Sequence, residues 1–277
     1  MSRTPWFVPA LAIVSGLGLA CSSTSDSSGA GGSDAAGNGG SNGGAGNVDC
    51  AGTPPATMVT LPEGYAIDST EVTRCQYQAW LATTPSTSDQ DAWCSWNTSF
   101  TPTCEWPPAD KGTHPVVCVD WCDAYAYCKG VGKRLCGRIG GGENSYQSYA
   151  SLEDQLYNAC VSGGAANAYP YGNTYESQTC NGADLGIGTT VEVGSLVDCQ
   201  SSVSGYAGVY DLSGNVVEWE DSCNAHYNQS DQCRVRGGSF LDSGTILWLR
   251  CDGGDTAGYG ERGSSIGVNA GLRCCGP

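Results

Sequence analysis

Basic residues are scarce in this chain: twelve lysines and arginines stand against twenty-eight aspartates and glutamates, a net charge of −16. Nothing could neutralise a phosphate backbone, so nucleic acid is excluded as a partner. Histidine is scarcer still, with only His114 and His226. Long apolar runs are missing too. The best, residues 6–19, is broken by Pro9, Ser15, Gly16 and Gly18, too short and glycine-rich for a comfortable membrane span. No two cysteines have the C-x-x-C spacing of a zinc knuckle or a thioredoxin-like centre. No segment repeats at a fixed period.

What the chain does have is cysteine, seventeen in all. Arg3 followed by the apolar run and by Ala20-Cys21 resembles a bacterial lipoprotein signal, cleaved so that Cys21 carries the lipid. The alternative is an ordinary signal peptide cut near Ala20. Setting Cys21 aside leaves sixteen cysteines, an even and scattered set that reads as a disulfide framework in an exported protein. Residues 22–47 are almost entirely Gly, Ser, Ala, Asn, Thr and Asp, a composition that cannot offset ordering by burial. Such a tether spans roughly 30 Å end to end. The expected organisation is therefore a signal peptide at 1–20, a disordered tether at 21–49 and one folded domain at 50–277. The acidic surface leaves membrane attachment to the acyl chains. Ser22 carries no inner-membrane retention cue, so an outer-membrane location is mildly preferred.

Within the domain the patterns are short. Residues 58–67 read as two strands around a turn at Pro62-Glu63-Gly64. Thr73 with Gln76 has the capping-box pattern for a helix over 73–82, with Tyr77, Trp80 and Leu81 on its apolar stripe. Asp120 can cap a second helix over 121–129, with Trp121, Ala124, Tyr125 and Cys128 on one face, stopped by Gly130 and Gly132. Ser151 and Asp154 predict a third, ending at Cys160. Beyond it lie short segments and turns. The residues alone give an α+β domain in which disulfide-held loops carry much of the surface.

Seven phrases then occur in an informative order. They are Gly64-Tyr65-Ala66-Ile67-Asp68 with Glu71-Val72-Thr73; His114-Pro115-Val116-Val117 through Trp121 to Ala126-Tyr127-Cys128; Gly132-Lys133-Arg134-Leu135; Tyr169-Pro170-Tyr171-Gly172-Asn173; the run 208–219, Gly-Val-Tyr-Asp-Leu-Ser-Gly-Asn-Val-Val-Glu-Trp; Arg236-Gly237-Gly238-Ser239-Phe240; and Gly271-Leu272-Arg273-Cys274. Together they resemble the sulfatase-modifying-factor family, that of the formylglycine-generating enzyme. The resemblance implies a C-type-lectin-like α+β fold. It also implies two long-range disulfides, Cys128–Cys274 and Cys160–Cys251, with the adjacent Cys275 leaving the first ambiguous. Spacing alone suggests local pairs Cys94–Cys104, Cys180–Cys199 and Cys223–Cys233.

The chemistry implied by the resemblance is oxidation of a substrate cysteine to formylglycine by oxygen and copper. The metal is held by two cysteines five residues apart, shortly after the Gly-Gly-Ser phrase. Soft Cu(I) needs such thiolates. Here the segment between Ser239 and Arg250 contains no cysteine. Asp242 falls at the first ligand position, and Ile246 or Leu247 at the second. Cys251 matches a structural cysteine instead, so copper is not expected. Without it, Ser239 is a loop hydroxyl rather than a catalytic group. The family's sulfoxide-synthase branch needs three histidines for iron and is excluded by count; His114 reads as a turn residue before Pro115. Gly263-Ser264-Ser265-Ile266-Gly267 fits the hydrolase nucleophile pattern but lacks its strand-to-helix setting.

Calcium is the cofactor the resemblance does imply. Side chains of Asp211 and Glu218 and carbonyls of Gly214 and Val216 match a family site of hard oxygen ligands; Asn181 and Asp184 are a weaker second set. The alternative is a loop whose carboxylates accept backbone hydrogen bonds. The expected function is thus a lipid-anchored envelope protein whose domain binds an unknown protein, peptide or glycan. The competing readings are an active formylglycine-generating oxidase and a purely structural envelope protein. The aromatic stretch 93–106, with Trp93, Trp96, Phe100 and Trp106, is a candidate contact surface; packing under a disulfide loop is its plainer reading.

Overall fold

The computed structural model describes residues 48–244, 247–253 and 259–276. The signal segment, Cys21, nearly all of the tether and Ile246 lie outside the described residues. The domain opens with strands β1 (Met58–Thr60) and β2 (Ala66–Asp68), antiparallel around the 62–64 turn. Helix α1 (Arg74–Leu81) follows, its Thr73 cap closing a full capping box with Gln76. Helix α2 (Trp121–Gly130) starts on a second box between Asp120 and Asp123. Strand β3 (Arg134–Leu135) and helix α3 (Gln155–Cys160) come next, Asp154 capping the latter through the Tyr157 N–H.

A long loop region leads to β4 (Val217–Cys223), β5 (Gln232–Arg236), β6 (Tyr259–Glu261), β7 (Ala270–Gly271) and β8 (Cys274–Cys275). Two four-stranded sheets result, ordered β1-β2-β8-β3 and β6-β5-β4-β7. Regular elements are few and short, the α+β and loop-rich character read from the sequence.

The main core gathers Tyr77 and Trp80 of α1, Trp121 and Tyr127 of α2, and Trp219 of β4. Aromatic contacts bind it: Tyr77 stacks on Tyr127 at 5.3 Å, and Trp80 meets Tyr127 edge-on at 5.5 Å. Helix α2 thus buries Tyr127, while Tyr125 is only half-buried against Trp121. Trp121, Ala124 and Cys128 of the expected stripe are buried, and Tyr127 joins them because α1 packs on its side.

All sixteen cysteines from Cys50 onward are paired. Cys128–Cys274, Cys160–Cys251, Cys180–Cys199 and Cys223–Cys233 are present. The ambiguity at Cys275 resolves through strand geometry. Neighbouring residues of a strand face opposite sides, so Cys274 enters the core with Cys128 while Cys275 faces a second core and bonds Cys136. The pair Cys94–Cys104 is corrected. Cys94 packs against α2 and bonds Cys122, whereas a backbone bond from Thr103 N–H to the Cys118 carbonyl sets Cys104 beside Cys118. Bridges closing 146, 139 and 91 residues each restrict the unfolded chain by about 4–5 kcal/mol on the chain-entropy account.

Candidate functional site

The loop running from Asp211 into β4 is built on backbone that few residues tolerate. Asp211 and Asn215 both have left-handed φ, near 60°, and Gly214 has φ 78°. A Cβ on Gly214 would sit 2.6 Å from the Asn181 carbonyl oxygen, so only glycine fits there. Every residue from Asp211 to Glu220 is buried.

Burying these carboxylates requires a cation, and Arg273 supplies it. Its guanidinium forks onto both Glu218 oxygens at 2.7 Å and donates further to the carbonyls of Asp68 and Tyr210. Glu218 therefore has both oxygens engaged. Asp211 Oδ2 accepts the Gly194 N–H at 2.6 Å, leaving Oδ1 buried without a donor. Glu71, wholly buried, has no hydrogen bond of ordinary geometry on either carboxylate oxygen, and the Asn215 side chain and Arg273 only partly favour its charged form. The Glu71 and Asp211 carboxyls lie within bonding reach of one another. Burial first, then the Asp211 and Glu218 charges, push Glu71 well above the usual carboxylate range. A proton held by Glu71 provides the missing donor and reduces the local charge.

At the expected calcium position Glu218 is held by Arg273 and Asp211 by the Gly194 N–H, so a metal there would share these carboxylates with the chain's own donors. The second set is not assembled. Asn181 is buried and donates to Asn215 Oδ1 and the Thr189 carbonyl. Asp184 is exposed and accepts the Gly244 N–H at 2.7 Å and the Tyr175 hydroxyl at 2.8 Å, contacts that hold its carboxyl below the usual carboxylate range. Among the described residues, no group of three or more His, Cys, Asp or Glu side chains is disposed to hold a metal. The residues missing from the sequence reading are Glu71 and Arg273. Both stand in quoted phrases, but nothing local reveals that they meet.

The loop after the glycine pair is differently made. Gly238, at φ 65°, brings the chain so close to Trp248 that a Cβ would lie 3.0 Å from its backbone. Ser239 is buried, and both its N–H and its hydroxyl donate to Asp242 Oδ2, at 2.8 and 2.9 Å. Ser239 Oγ in turn accepts the Leu241 N–H. The carboxylate standing at the first copper position thus closes the loop on itself. Leu247 lies at the second position and is half-exposed; Ile246 is outside the described residues. With every described cysteine in a disulfide, no thiol pair remains for Cu(I), so the residues do not fit copper.

The same loop turns apolar groups outward: Leu241, Leu247 and Trp248 are 56%, 50% and 43% exposed. Beside it, Phe240, Thr189, Thr190 and Val268 border a shallow cavity of about 190 Å³ with the Arg74–Glu105 ion pair at its edge. His114 Nδ1 bonds Thr190 Oγ1 at 3.0 Å there; burial lowers its basicity. The aromatic side chains of 93–106 turn inward from a partly exposed stretch: Phe100 is core, and Trp93, Trp96 and Trp106 pack partly buried against it. Ser264 and Ser265 lie in an irregular segment between β6 and a single 3₁₀ turn at Gly267–Asn269, not at a strand-to-α-helix elbow.

A family model for the sulfatase-modifying factor enzyme 1-like domain matches residues 29–275. The chain belongs to this family. The match begins within the stretch expected to be tether. Among curated proteins, the chain is 32% identical over 179 residues to the inactive C-alpha-formylglycine-generating enzyme 2 of Bos taurus, covering 60% of this chain and 51% of that protein. The Mus musculus protein of the same name is 30% identical over 172 residues, with 58% and 48% covered. The chain thus spans about half the length of the curated relatives it matches. Among solved structures, CarF aligns with 18% identity and a TM-score of 0.48, covering 82% of this chain and 96% of that one. The fold is the C-type-lectin-like α+β fold of the family. Eight disulfides fit an oxidising compartment, and no helix among the described residues is long and apolar enough to cross a membrane.

Proposed function

We propose that this chain is a lipid-anchored envelope protein whose formylglycine-generating-enzyme-like domain binds a protein, peptide or glycan and does not oxidise it. One observation carries the reading: Asp242, at the first copper position, is hydrogen-bonded to Ser239, and every cysteine among the described residues is in a disulfide rather than free as a soft-metal ligand. Two curated relatives bear the word inactive in their names, which supports the same direction. The outward-facing Leu241, Leu247 and Trp248 on that loop offer an apolar contact surface, and long loops on a rigid core are where recognition concentrates. Anchoring through Cys21 in the outer membrane completes the proposal and rests on the N-terminal residues alone.

The deciding experiment incubates the purified chain with a cysteine-containing sulfatase peptide, copper and oxygen, followed by mass spectrometry. No mass change and no stoichiometric cuprous binding are expected. Appearance of formylglycine would return the oxidase reading. Peptide and glycan arrays probed with wild type and Trp248→Ala then test recognition. A saturable ligand weakened by the substitution supports the binding module, and the absence of any ligand favours a purely structural role.

A further inference from the structure

A second cavity lies away from the glycine-pair loop and shares no residue with it. It occupies about 210 Å³ where the end of α1 and the outer face of α2 meet the 85–94 segment. Trp80 and Phe100, both buried, form its floor with the Cys94–Cys122 disulfide, and Ala126 of α2 forms a wall. The volume exceeds the roughly 150 Å³ that accommodates benzene in a dry protein cavity. It falls below the about 300 Å³ where sites for drug-sized ligands begin. One aromatic side chain matches it.

The rim decides what accompanies that ring. Asp89 is exposed, and Asp91, half-exposed, makes no side-chain bond to the short turn it precedes. Lys129 is the one cation at the edge, against these two carboxylates. Tyr125, beside Asp91, keeps its phenol protonated, burial pushing it up to about 12. Beyond the rim the whole chain carries −16. An apolar slot with an acidic rim on an acidic protein repels anionic partners and draws cationic ones.

We infer that this cavity is an anchor pocket for a basic polypeptide segment, which inserts one aromatic side chain over Trp80 and Phe100 and sets a flanking arginine or lysine against Asp89 and Asp91. Small, well-desolvated pockets filled by a single aromatic are how interfaces concentrate their affinity. The inference is independent of whether the glycine-pair loop binds anything.

Saturation-transfer NMR on the full chain, disulfides intact, tests it with three probe peptides: acetyl-Arg-Trp-Arg-amide, acetyl-Glu-Trp-Glu-amide and acetyl-Arg-Ala-Arg-amide. Saturation of the indole ring is expected in the first, with binding about tenfold tighter than either other peptide, a gap of about 1.4 kcal/mol. Ala126→Trp fills the slot and should abolish that saturation. Asp89→Asn with Asp91→Asn, which leaves the floor untouched and guards against misfolding of the first variant, should bring the Arg and Glu peptides within about threefold of one another. Equal binding of the Arg-Ala-Arg and Arg-Trp-Arg peptides would reduce the site to surface charge and overturn the proposal. So would full binding by Ala126→Trp, or no ring saturation in any peptide.

Discussion

Two loops of this domain match places where the family holds metal, and they have fared differently. The loop from Asp211 to Glu218 is buried throughout, left-handed at three positions and locked by Arg273 from the far end of the chain. The loop after Gly238 retains its tight entry but presents leucine and tryptophan to solvent and ties its acidic residue to its own serine. The first loop is held by contacts that reach across the fold, and the second closes on itself through Ser239 and Asp242. Support for the fold and the make-up of the glycine-pair loop are thus separable within one domain.

The largest effect should follow from breaking the first loop. Arg273→Met leaves Glu218, Asp211 and Glu71 buried without their cation, and removing one partner of a buried ion pair costs about 3–5 kcal/mol. A domain of this size loses about 2–4 °C per kcal/mol, so calorimetry should register a drop of at least about 6 °C. A variant as stable as wild type would show that the cluster is neutralised without Arg273.

Asp242→Ala tests the second loop and should cost less. The Ser239 N–H and hydroxyl lose a common acceptor in a buried setting, worth about 1–3 kcal/mol. The expected signature is a fall of a few degrees with new protease cleavage confined to residues 239–249. Global destabilisation on the scale of Arg273→Met would erase the contrast between the loops.

How much of this was legible in the sequence depends on the range of the interaction. The helix starts at Thr73, Asp120 and Asp154 follow from side chains reaching three residues ahead, and the sequence displays both partners. On α2 the expected Trp121, Ala124 and Cys128 do lie on the buried face, but Tyr127 joins them and Tyr125 stays half-buried, because the side that α1 covers is not a local property. Cys94–Cys104 failed for a related reason: spacing cannot show that the chain returns along Cys118. Missing copper thiols could be read directly, since absence needs no geometry. The Glu71–Asp211–Glu218–Arg273 cluster could not, because four separate segments build it.

Titration sharpens the comparison further. Glu71 has its folded-state value raised above the ordinary 4.5, so the folded chain binds the extra proton. The folded state therefore loses stability as pH rises from about 4.5 toward the raised value, at up to about 1.4 kcal/mol per pH unit for one group. Below that window the contribution is fully present. Glu71→Gln keeps an N–H donor for Asp211 without the titration. Urea unfolding across pH 5–8 should show a flatter profile for the variant and greater stability than wild type at the alkaline end. An unchanged slope would place the pH dependence elsewhere, for example at Asp221, which burial and Glu143 push up to about 7.

Calcium should have the smallest effect, and this measurement separates two accounts of why the first loop survives. If Arg273 is the resident cation, the melting temperature in excess EDTA and in excess calcium should agree to within about 1 °C. A ligand bound only by the folded state and present at a hundred times its Kd adds about 2.7 kcal/mol, or about 5–11 °C at this size. A shift of that order would mean that Glu218 exchanges its guanidinium for a metal, and that the loop is held by a ligand rather than by the chain itself. Repeating the titration with Glu218→Gln assigns the shift: a response that persists without the Glu218 carboxylate comes from another site, and one that vanishes places the ion beside Arg273.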